Sequence, residues 1–246
     1  MNEIVSLLSW VRESRPRKVV VLTGAGVPAE SGIPTFRGPG GLWQSHRPEE
    51  LATPDAFDRD PELVWRWYEW RRALIGGCEP NAAHLAIAKL ESSLPEGSVL
   101  TVTQNVDGLH QRAGSRNVLE LHGSILRVRC VREGRTFDHP EPFTRTPPLC
   151  ECGSFLRPDV VWFGEALPAG SIERAGDAVS EADLVIVAGT SGVVYPAAGL
   201  VHLARRGVAV EINPDETPLS DACRFSIRST AAVAVPPITA AITEVS

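Results

Sequence analysis

Short runs of apolar, mostly β-branched residues recur along the chain, separated by longer stretches of helical character. Apolar runs without polar alternation are typical of strands that are buried on both faces of a parallel sheet. The pattern predicts strands at residues 18–22, 99–103, 118–121, 183–188, 208–212 and 223–227. It predicts helices at residues 2–12 and near 196–206. We therefore expect an α/β fold with a Rossmann-like parallel sheet and helices on both faces.

Two regions interrupt this alternation. Residues 39–95 predict a helical module rich in tryptophan, in which Asn81 caps one helix start. Residues 129–158 are rich in Pro, Arg and Cys and predict a small insert rather than a Rossmann element. We expect a single domain over residues 1–246. Its Rossmann-like core is predicted at about residues 1–38, 96–128 and 159–246.

The composition of the chain excludes several classes of protein. The chain is 43% hydrophobic and 22% charged, as soluble globular proteins are, and its net charge of −6 argues against a nonspecific nucleic-acid binder. The sequence has no apolar run long enough to span a membrane and no signal-peptide pattern at its start. Five cysteines, an odd number, suit a reducing compartment. We expect a cytoplasmic monomer that binds neither nucleic acid nor membranes.

A glycine-rich turn follows the first predicted strand directly. It reads Gly-Ala-Gly-Val-Pro-Ala, the order that lets backbone N–H groups approach a diphosphate at a helix N-terminus. Gly24 would form the turn, Gly26 would admit the phosphate, and Ala29 would let the helix pack on the strand. Farther along, Phe36 could cover a flat ring and Arg37 could meet a phosphate. Core packing of Phe36 and solvation of Arg37 are the open alternatives.

The acidic residue that holds the ribose in ordinary NAD dehydrogenases has no counterpart at its usual spacing. That position, about 20 residues past the glycines, falls in the stretch 43–50, which no predicted strand precedes. The sequence therefore favours dinucleotide binding but argues against hydride transfer.

Two more groups of polar residues follow predicted strands. Gln104, Asn105 and Asp107 come directly after the second strand, at the strand end where open α/β sheets bind ligands. His122 follows the third strand in the same way, and a histidine there can act as a general base near neutral pH. Local spacing leaves two alternatives open, helix capping by Asn105 or Asp107 and a structural role for His122.

Taken together, the ordered motifs resemble those of the sirtuin family. They lie at residues 24–26, 29–37, 103–107, 121–123, 161–165, 189–191 and 212–214. The resemblance covers nearly the whole chain. It implies a Rossmann-like domain with a smaller inserted domain, and an enzyme that uses NAD to remove acyl groups from protein lysines.

The resemblance also implies residue roles. The acyl carbonyl oxygen would attack C1′ of the nicotinamide ribose, and nicotinamide would leave. His122, with Asn105 as second catalytic residue, would then deprotonate a ribose hydroxyl. That hydroxyl would attack the imidate carbon, and water would release lysine and O-acyl-ADP-ribose. Phe36 would shield the reacting centre from water. The implied cofactor-binding residues are Gly24, Ala25, Gly26, Ala29, Thr35, Phe36, Arg37, Gln104, Asn105, Asp107, Gly189, Thr190, Ser191, Asn213 and Ala231.

The acyl group is suggested by Tyr68 and Arg71, which share a helix face because they are three residues apart. By itself, the stretch 65–72 is more typical of a packed aromatic helix with solvated arginines. Within a sirtuin, however, Tyr-x-x-Arg resembles the branch that removes succinyl, malonyl and glutaryl groups, whose carboxylate this pair would bind. Val161 and Phe163 would wall the acyl-lysine tunnel, on an edge segment that pairs with an extended peptide. We expect weaker activity on acetyl groups.

The resemblance further implies a structural zinc held by two cysteine pairs, but this chain departs from that pattern. A tetrahedral zinc site needs four ligands. A glutamate stands where the second cysteine of the first pair would fall, so the sequence predicts an incomplete site. The candidate ligands are Cys130, Cys150 and Cys152, with Glu133, Asp138 or His139 as the fourth.

Two other functions remain open at this stage. One is a noncatalytic NAD-binding sensor, which the presence of His122 and Asn105 disfavours. The other is a mono-ADP-ribosyltransferase, which cleaves NAD in the same way but uses another nucleophile.

Overall fold

A computed structural model describes residues 3–36, 41 and 47–245. Within these ranges the strands, in chain order, are β1 (Val19–Thr23), β2 (Val99–Thr103), β3 (Val118–Glu120), β4 (Gly123–Cys130), β5 (Thr136–Asp138), β6 (Leu156–Val160), β7 (Leu184–Ala188), β8 (Val208–Ile212) and β9 (Phe225–Ile227). Six of them form a parallel sheet in the order β3-β2-β1-β7-β8-β9. The predicted Rossmann-like sheet and all of its strands are confirmed.

Helices in the same ranges are α1 (Glu3–Ser14), α2 (Pro48–Leu51), α3 (Pro54–Arg59), α4 (Pro61–Gly76), α5 (Ala82–Ser93), α6 (Leu109–Arg112), α7 (Ser171–Glu181) and α8 (Ala231–Glu244). The Asn81 side chain accepts a hydrogen bond from the N–H of Ala83, so the predicted cap of α5 is confirmed. The predicted helix near 196–206 is instead a 3-10 helix, Ala197–Leu203. Helices α7 and α8 were not predicted.

The large sheet is covered on both faces because successive residues of a strand point to opposite sides. In β1, Val19 and Val21 pack with α1, α5 and α8. Val20 and Leu22 pack on the other face with α7 and the 3-10 helix. This three-layer arrangement holds the strand ends, and the loops that follow them, in fixed positions.

A second apolar cluster lies beside the sheet. Helices α2 to α4 pack there against a small antiparallel sheet with strand order β5-β4-β6. The indole N–H of Trp65 in α4 donates to the carbonyl of Leu156 in β6 at 2.7 Å. The small sheet begins before and ends after the predicted insert 129–158, since β4 starts at Gly123 and β6 ends at Val160. The helical module and the insert thus share one core.

Two further findings concern the described part of the chain. None of its helices is long and apolar enough to cross a membrane. All five cysteines are free thiols.

Arg72 ties α4 to the small sheet. Its guanidinium is buried and donates to the carbonyls of Ile125 and Glu141, each at 2.8 Å, and also to that of His139. Arg72→Met should lower the free energy of unfolding by about 2–4 kcal/mol, because buried carbonyls lose a charged donor. Urea unfolding of the purified variant measures this change.

The matched control is Arg66→Met, since Arg66 lies on the same helix but is exposed, with only a surface ion pair to Glu62. It should change stability by at most about 0.5 kcal/mol. Equal effects of the two substitutions would contradict the anchoring role of Arg72.

Candidate active site

The site lies where the strand order of the large sheet reverses, between β1 and β7. Open α/β sheets bind ligands at such a point, beyond the carboxyl ends of the strands. The loops that follow β1 and β7 touch through their backbones. The N–H of Gly26 donates to the carbonyl of Gly189 at 2.8 Å, and the N–H of Gly24 donates to Ala188 at 3.1 Å.

Glycine is required on both sides of this contact. A Cβ on Gly26 would lie 2.8 Å from the Cα of Gly189, and one on Gly189 would lie 2.6 Å from the backbone nitrogen of Val27. Gly189 also has φ of +61°, a conformation that favours glycine. The missing side chain of Gly26 makes room for the second loop, and its role in admitting a phosphate stays a prediction. The predicted helix start is corrected to a single 3-10 turn, Pro28–Ser31.

Polar side chains from the next strand ends bind these two loops together. The Asn105 amide donates to the carbonyl of Gly24 at 3.0 Å, and the Gln104 amide donates to the Thr190 hydroxyl at 3.2 Å. From the end of β8, the Asn213 amide donates to the Thr190 carbonyl at 2.9 Å. The ends of four strands, β1, β2, β7 and β8, therefore meet at one edge of the cleft.

His122 is fixed by one backbone contact. Its Nδ1 lies 2.9 Å from the carbonyl oxygen of Gln104. Because a carbonyl can only accept, Nδ1 carries the hydrogen and Nε2 remains the basic nitrogen. Burial lowers the pKa of His122 below its ordinary 6.5, and the hydrogen bond to Gln104 opposes this shift. The imidazole is therefore neutral at physiological pH and able to accept a proton.

A single cleft of about 1230 Å³ collects the predicted residues. Arg37 lies outside the described residues. All the other predicted catalytic, cofactor-binding and substrate-binding residues line the cleft: Gly24, Ala25, Gly26, Ala29, Thr35, Phe36, Tyr68, Arg71, Gln104, Asn105, Asp107, His122, Val161, Phe163, Gly189, Thr190, Ser191, Asn213 and Ala231. The structure brings these side chains together, and their individual roles remain predictions.

One end of the cleft holds a buried cation. Arg71 is only 5% exposed, and its guanidinium carbon lies 4.8–5.6 Å from the ring centres of Trp67, Phe36 and Tyr68. Within the described ranges, no carboxylate lies within ion-pair distance of this guanidinium, and its Nε has no hydrogen-bond partner. Residues 37–46 contain no aspartate or glutamate. Burial lowers the pKa of Arg71, as expected for a desolvated cation. The alternative interpretation of this helix, with solvated arginines, is therefore wrong for Arg71.

Asp107 is also buried in the wall of the cleft. Its carboxylate accepts the N–H of Leu109, the first residue of α6, at 2.8 Å, although the N-cap position itself is Gly108. The alternative interpretation is thus met in part, by a hydrogen bond from one residue before the cap. Burial raises its pKa, while the Leu109 N–H and the more distant charge of Arg71 oppose that shift. Capping and ligand binding are compatible here, because the residue also lines the cleft.

The segment 161–165 runs along the same wall. The N–H of Val161 donates to the carbonyl of His122, and that of Phe163 donates to Ala52, each at 2.9 Å. The N–H of Trp162 donates to the Glu165 carboxylate at 2.8 Å. These donors are already used, so the predicted pairing of this edge with a peptide would depend on other backbone groups of the segment.

Several residues that line the cleft were not assigned a role from the sequence, among them Trp67, Trp162 and Glu30. Trp67 and Trp162 line the end of the cleft near Arg71. Glu30 lies at the other end, where its carboxylate accepts the N–H of Ala232 in α8 at 2.9 Å. Trp67 carried no signal beyond apolar patterning, whereas Glu30 and Trp162 stand inside motifs of the resemblance and could have been considered.

Four candidate metal ligands lie together at the tip of the small sheet. The ligand atoms of Cys130, Glu133, Cys150 and Cys152 lie within 4.8 Å of one another. Three thiolates and one carboxylate in this arrangement fit a tetrahedral zinc ion, whose role would be structural. Asp138 and His139 do not belong to this group within the described chain, so Glu133 is the candidate for the fourth ligand. The cluster lies outside the lining of the cleft.

The chain is similar to a known protein family and to several proteins of known activity. Residues 24–196 match the family model described as "Sir2 family". The chain belongs to the Sir2 family. A relative from Aquifex aeolicus, an NAD-dependent protein deacylase, is 54% identical over 206 residues, covering 82% of this chain and 85% of the relative. NAD-dependent protein deacylase 1 of Archaeoglobus fulgidus is 53% identical over 92% of both chains.

Among solved structures, a Sir2 homolog–NAD complex is 48% identical, with a TM-score of 0.89. The match covers 98% of this chain and 94% of that one. The Sir2 fold is therefore shared over essentially the whole chain, and the sirtuin resemblance is confirmed.

The zinc cluster yields a prediction. The purified protein should hold about one zinc ion per chain, and Glu133→Ala should lose it more readily to a chelator because only three ligands remain. Glu133→Cys should retain it longer, since thiolates bind zinc well. A zinc-sensitive dye follows the release.

The control is Glu151→Ala, because Glu151 lies between two of the cysteines but outside the ligand group. Equal release from Glu133→Ala and the unsubstituted protein would contradict ligation by Glu133.

Proposed function

We propose that this protein is an NAD-dependent protein-lysine deacylase that prefers acyl groups ending in a carboxylate, above all succinyl and malonyl. The products are nicotinamide, O-acyl-ADP-ribose and the free lysine. The general activity follows from membership of the Sir2 family and from the cleft at the sheet's switch point. The acyl preference depends on one observation, the buried guanidinium of Arg71, which has no carboxylate within ion-pair distance among the described residues and whose Nε has no hydrogen-bond partner.

A buried cation without an anion is costly, because it has lost water and gained no counter-charge. The aromatic rings around Arg71 attract its charge but do not accept hydrogen bonds in the plane of the guanidinium. A carboxylate at the end of an acyl chain supplies both a charge and two acceptor oxygens. Binding of a succinyl or malonyl group therefore completes the site.

An acetyl group gives Arg71 no such partner. The acetyl methyl would leave the guanidinium desolvated and without a carboxylate. Binding would then be weaker, because the charged hydrogen bonds to a substrate carboxylate are missing. A site that binds a polar group of its substrate strongly rejects an analogue that lacks this group. An apolar pocket discriminates much less against an analogue that carries one additional small group. Tyr68 strengthens this discrimination, because its phenol hydroxyl is a second donor for a carboxylate and an acetyl group offers it no carboxylate. Burial raises the pKa of Tyr68 farther above neutral pH.

The opposite part of the cleft suits the NAD end of the reaction. When bound, NAD supplies the electrophilic ribose carbon that accepts the acyl oxygen. Asn105 and Gln104 are held against the glycine loops and would orient the ribose. His122 would accept a ribose hydroxyl proton at Nε2, since Nδ1 is engaged by Gln104. Phe36 would exclude water from the reacting centre.

The substrate peptide would lie along segment 161–165. Phe163 is 52% exposed beside the cleft, and Val161 lines the cleft directly. Backbone pairing along this segment reads little side-chain identity, which suits an enzyme that acts on many proteins.

Arg71→Met tests the acyl preference directly. We expect kcat/KM for a succinyl-lysine peptide to fall by about 100-fold, the cost of losing a buried charged hydrogen bond. The value for the same peptide carrying acetyl-lysine should stay within about threefold or rise, because the unpaired charge is gone. Mass spectrometry of both peptides gives the two values. Arg66→Met is the control, an exposed arginine on the same helix. Parallel losses on both peptides would contradict the assignment.

The pH profile tests His122 as the base. Only the neutral imidazole accepts a proton, and burial lowers its pKa, so activity should persist below pH 6.5 and fall at a still lower pH. The acetyl peptide is the right substrate, because a succinyl carboxylate titrates in the same acid range. His122→Ala should lose at least about 100-fold in kcat. His202→Ala, at an exposed histidine, should leave the profile unchanged. An acid limb centred above pH 6.5 would contradict this role.

A further inference from the structure

We propose that Trp162 is a positioning residue for acyl recognition. Its indole N–H donates a hydrogen bond to the hydroxyl oxygen of Tyr68, so the phenol hydrogen of Tyr68 is available to the acyl carboxylate. This inference rests on the proposed acyl preference and adds a residue that the resemblance did not single out. It also joins acyl recognition to the segment proposed to bind the peptide.

The contact is short and buried. Trp162 Nε1 lies 2.9 Å from the hydroxyl oxygen of Tyr68, and both side chains are 2% exposed. An indole nitrogen can only donate, so the Tyr68 oxygen is the acceptor. The phenol hydrogen must then point away from Trp162. Tyr68 lines the cleft beside Arg71, so a carboxylate there can receive a hydrogen bond from each.

The indole is itself held from several sides. The guanidinium carbon of Arg157 lies 3.4 Å from the centre of the Trp162 ring, and the ring of Phe57 lies 5.3 Å from it. Arg157 is paired with Glu165, whose carboxylate also accepts the Trp162 backbone N–H. The donor therefore has little freedom, and the Tyr68 hydroxyl is oriented before any ligand arrives. Preorganised donors bind more tightly because no ordering cost remains.

Trp162 also lies between Val161 and Phe163, on the segment proposed to carry the peptide. The neighbouring N–H groups are bonded to His122 and Ala52, so the segment cannot shift without moving the indole. A peptide that displaces this segment would disturb the Tyr68 hydroxyl, and a bound carboxylate would stabilise the segment in return. The same residue thus connects the two halves of substrate recognition.

The test uses Trp162→Phe in the full chain, which keeps an aromatic ring and removes the N–H. We expect KM for the succinyl peptide to rise about tenfold, the effect of one lost hydrogen bond, with kcat nearly unchanged. Values for the acetyl peptide should stay within about threefold. In the Tyr68→Phe background, Trp162→Phe should have no further effect on succinyl recognition, since the oriented hydroxyl is absent.

Trp65→Phe is the matched control. It removes another buried indole N–H bond, to Leu156, on the helix that carries Tyr68. It should lower thermal stability without changing the ratio of succinyl to acetyl activity. If Trp162→Phe behaves in the same way, or if the double-variant cycle is additive, Trp162 is only structural and the inference is overturned.

The two proposals fail in different ways. An unsubstituted protein that treats both peptides equally contradicts the acyl preference, and with it this inference. A preference that survives Trp162→Phe contradicts the positioning role alone. If Trp162→Phe does not fold, the indole N–H resonance of the unsubstituted protein decides. That resonance should shift with the succinyl peptide and not with the acetyl peptide, and equal responses would overturn the inference.

Discussion

The contact between two backbone loops, at Gly26 and Gly189, is the constraint on which the site depends. No side chain fits between these loops, so the ends of β1 and β7 can approach within hydrogen-bond distance. Asn105 then reaches the carbonyl of Gly24, and Thr190 is held by both Gln104 and Asn213. A larger residue at either glycine would separate the loops and move each of these groups. The positions of these side chains around the cleft therefore follow from the close backbone contact between the two loops.

The cleft has two chemically different ends. One is built from backbone and amide groups of the parallel sheet, which suit a dinucleotide. The other is built by the helical module, where Arg71 is surrounded by aromatic rings and lacks an anionic partner within the described chain. Keeping such a charge buried destabilises the free protein. In the proposed function a substrate carboxylate would remove that penalty, so the group that costs stability in the free protein would also recognise the acyl chain.

The sequence predicts those features whose cause is local. The apolar runs at 99–103 and 208–212 coincide with β2 and β8, and the Asn81 cap lies where it is expected. Features that depend on packing between segments distant in the sequence cannot be predicted in this way. Helix α8 contains Pro236 and Pro237, which discourage a helix, and it is stabilised by burial against α1 and α5.

The same limit applies within the site. Most of its residues stand next to strand ends and could be predicted by position. The burial of Arg71 could not, because a charged residue in a helix is normally solvated, and its rings come partly from Phe36, far away in sequence. Glu133 is a comparable case, since a turn after β4 brings it to cysteines about 20 residues farther along.

The most direct test of the account compares the unsubstituted protein on two peptides of identical sequence, one carrying succinyl-lysine and the other acetyl-lysine, with and without NAD. Mass spectrometry follows the loss of each group and the formation of O-acyl-ADP-ribose. The account predicts NAD-dependent removal of succinyl well above that of acetyl. Removal of acetyl alone, or equal removal of both, would contradict the role assigned to the buried charge of Arg71.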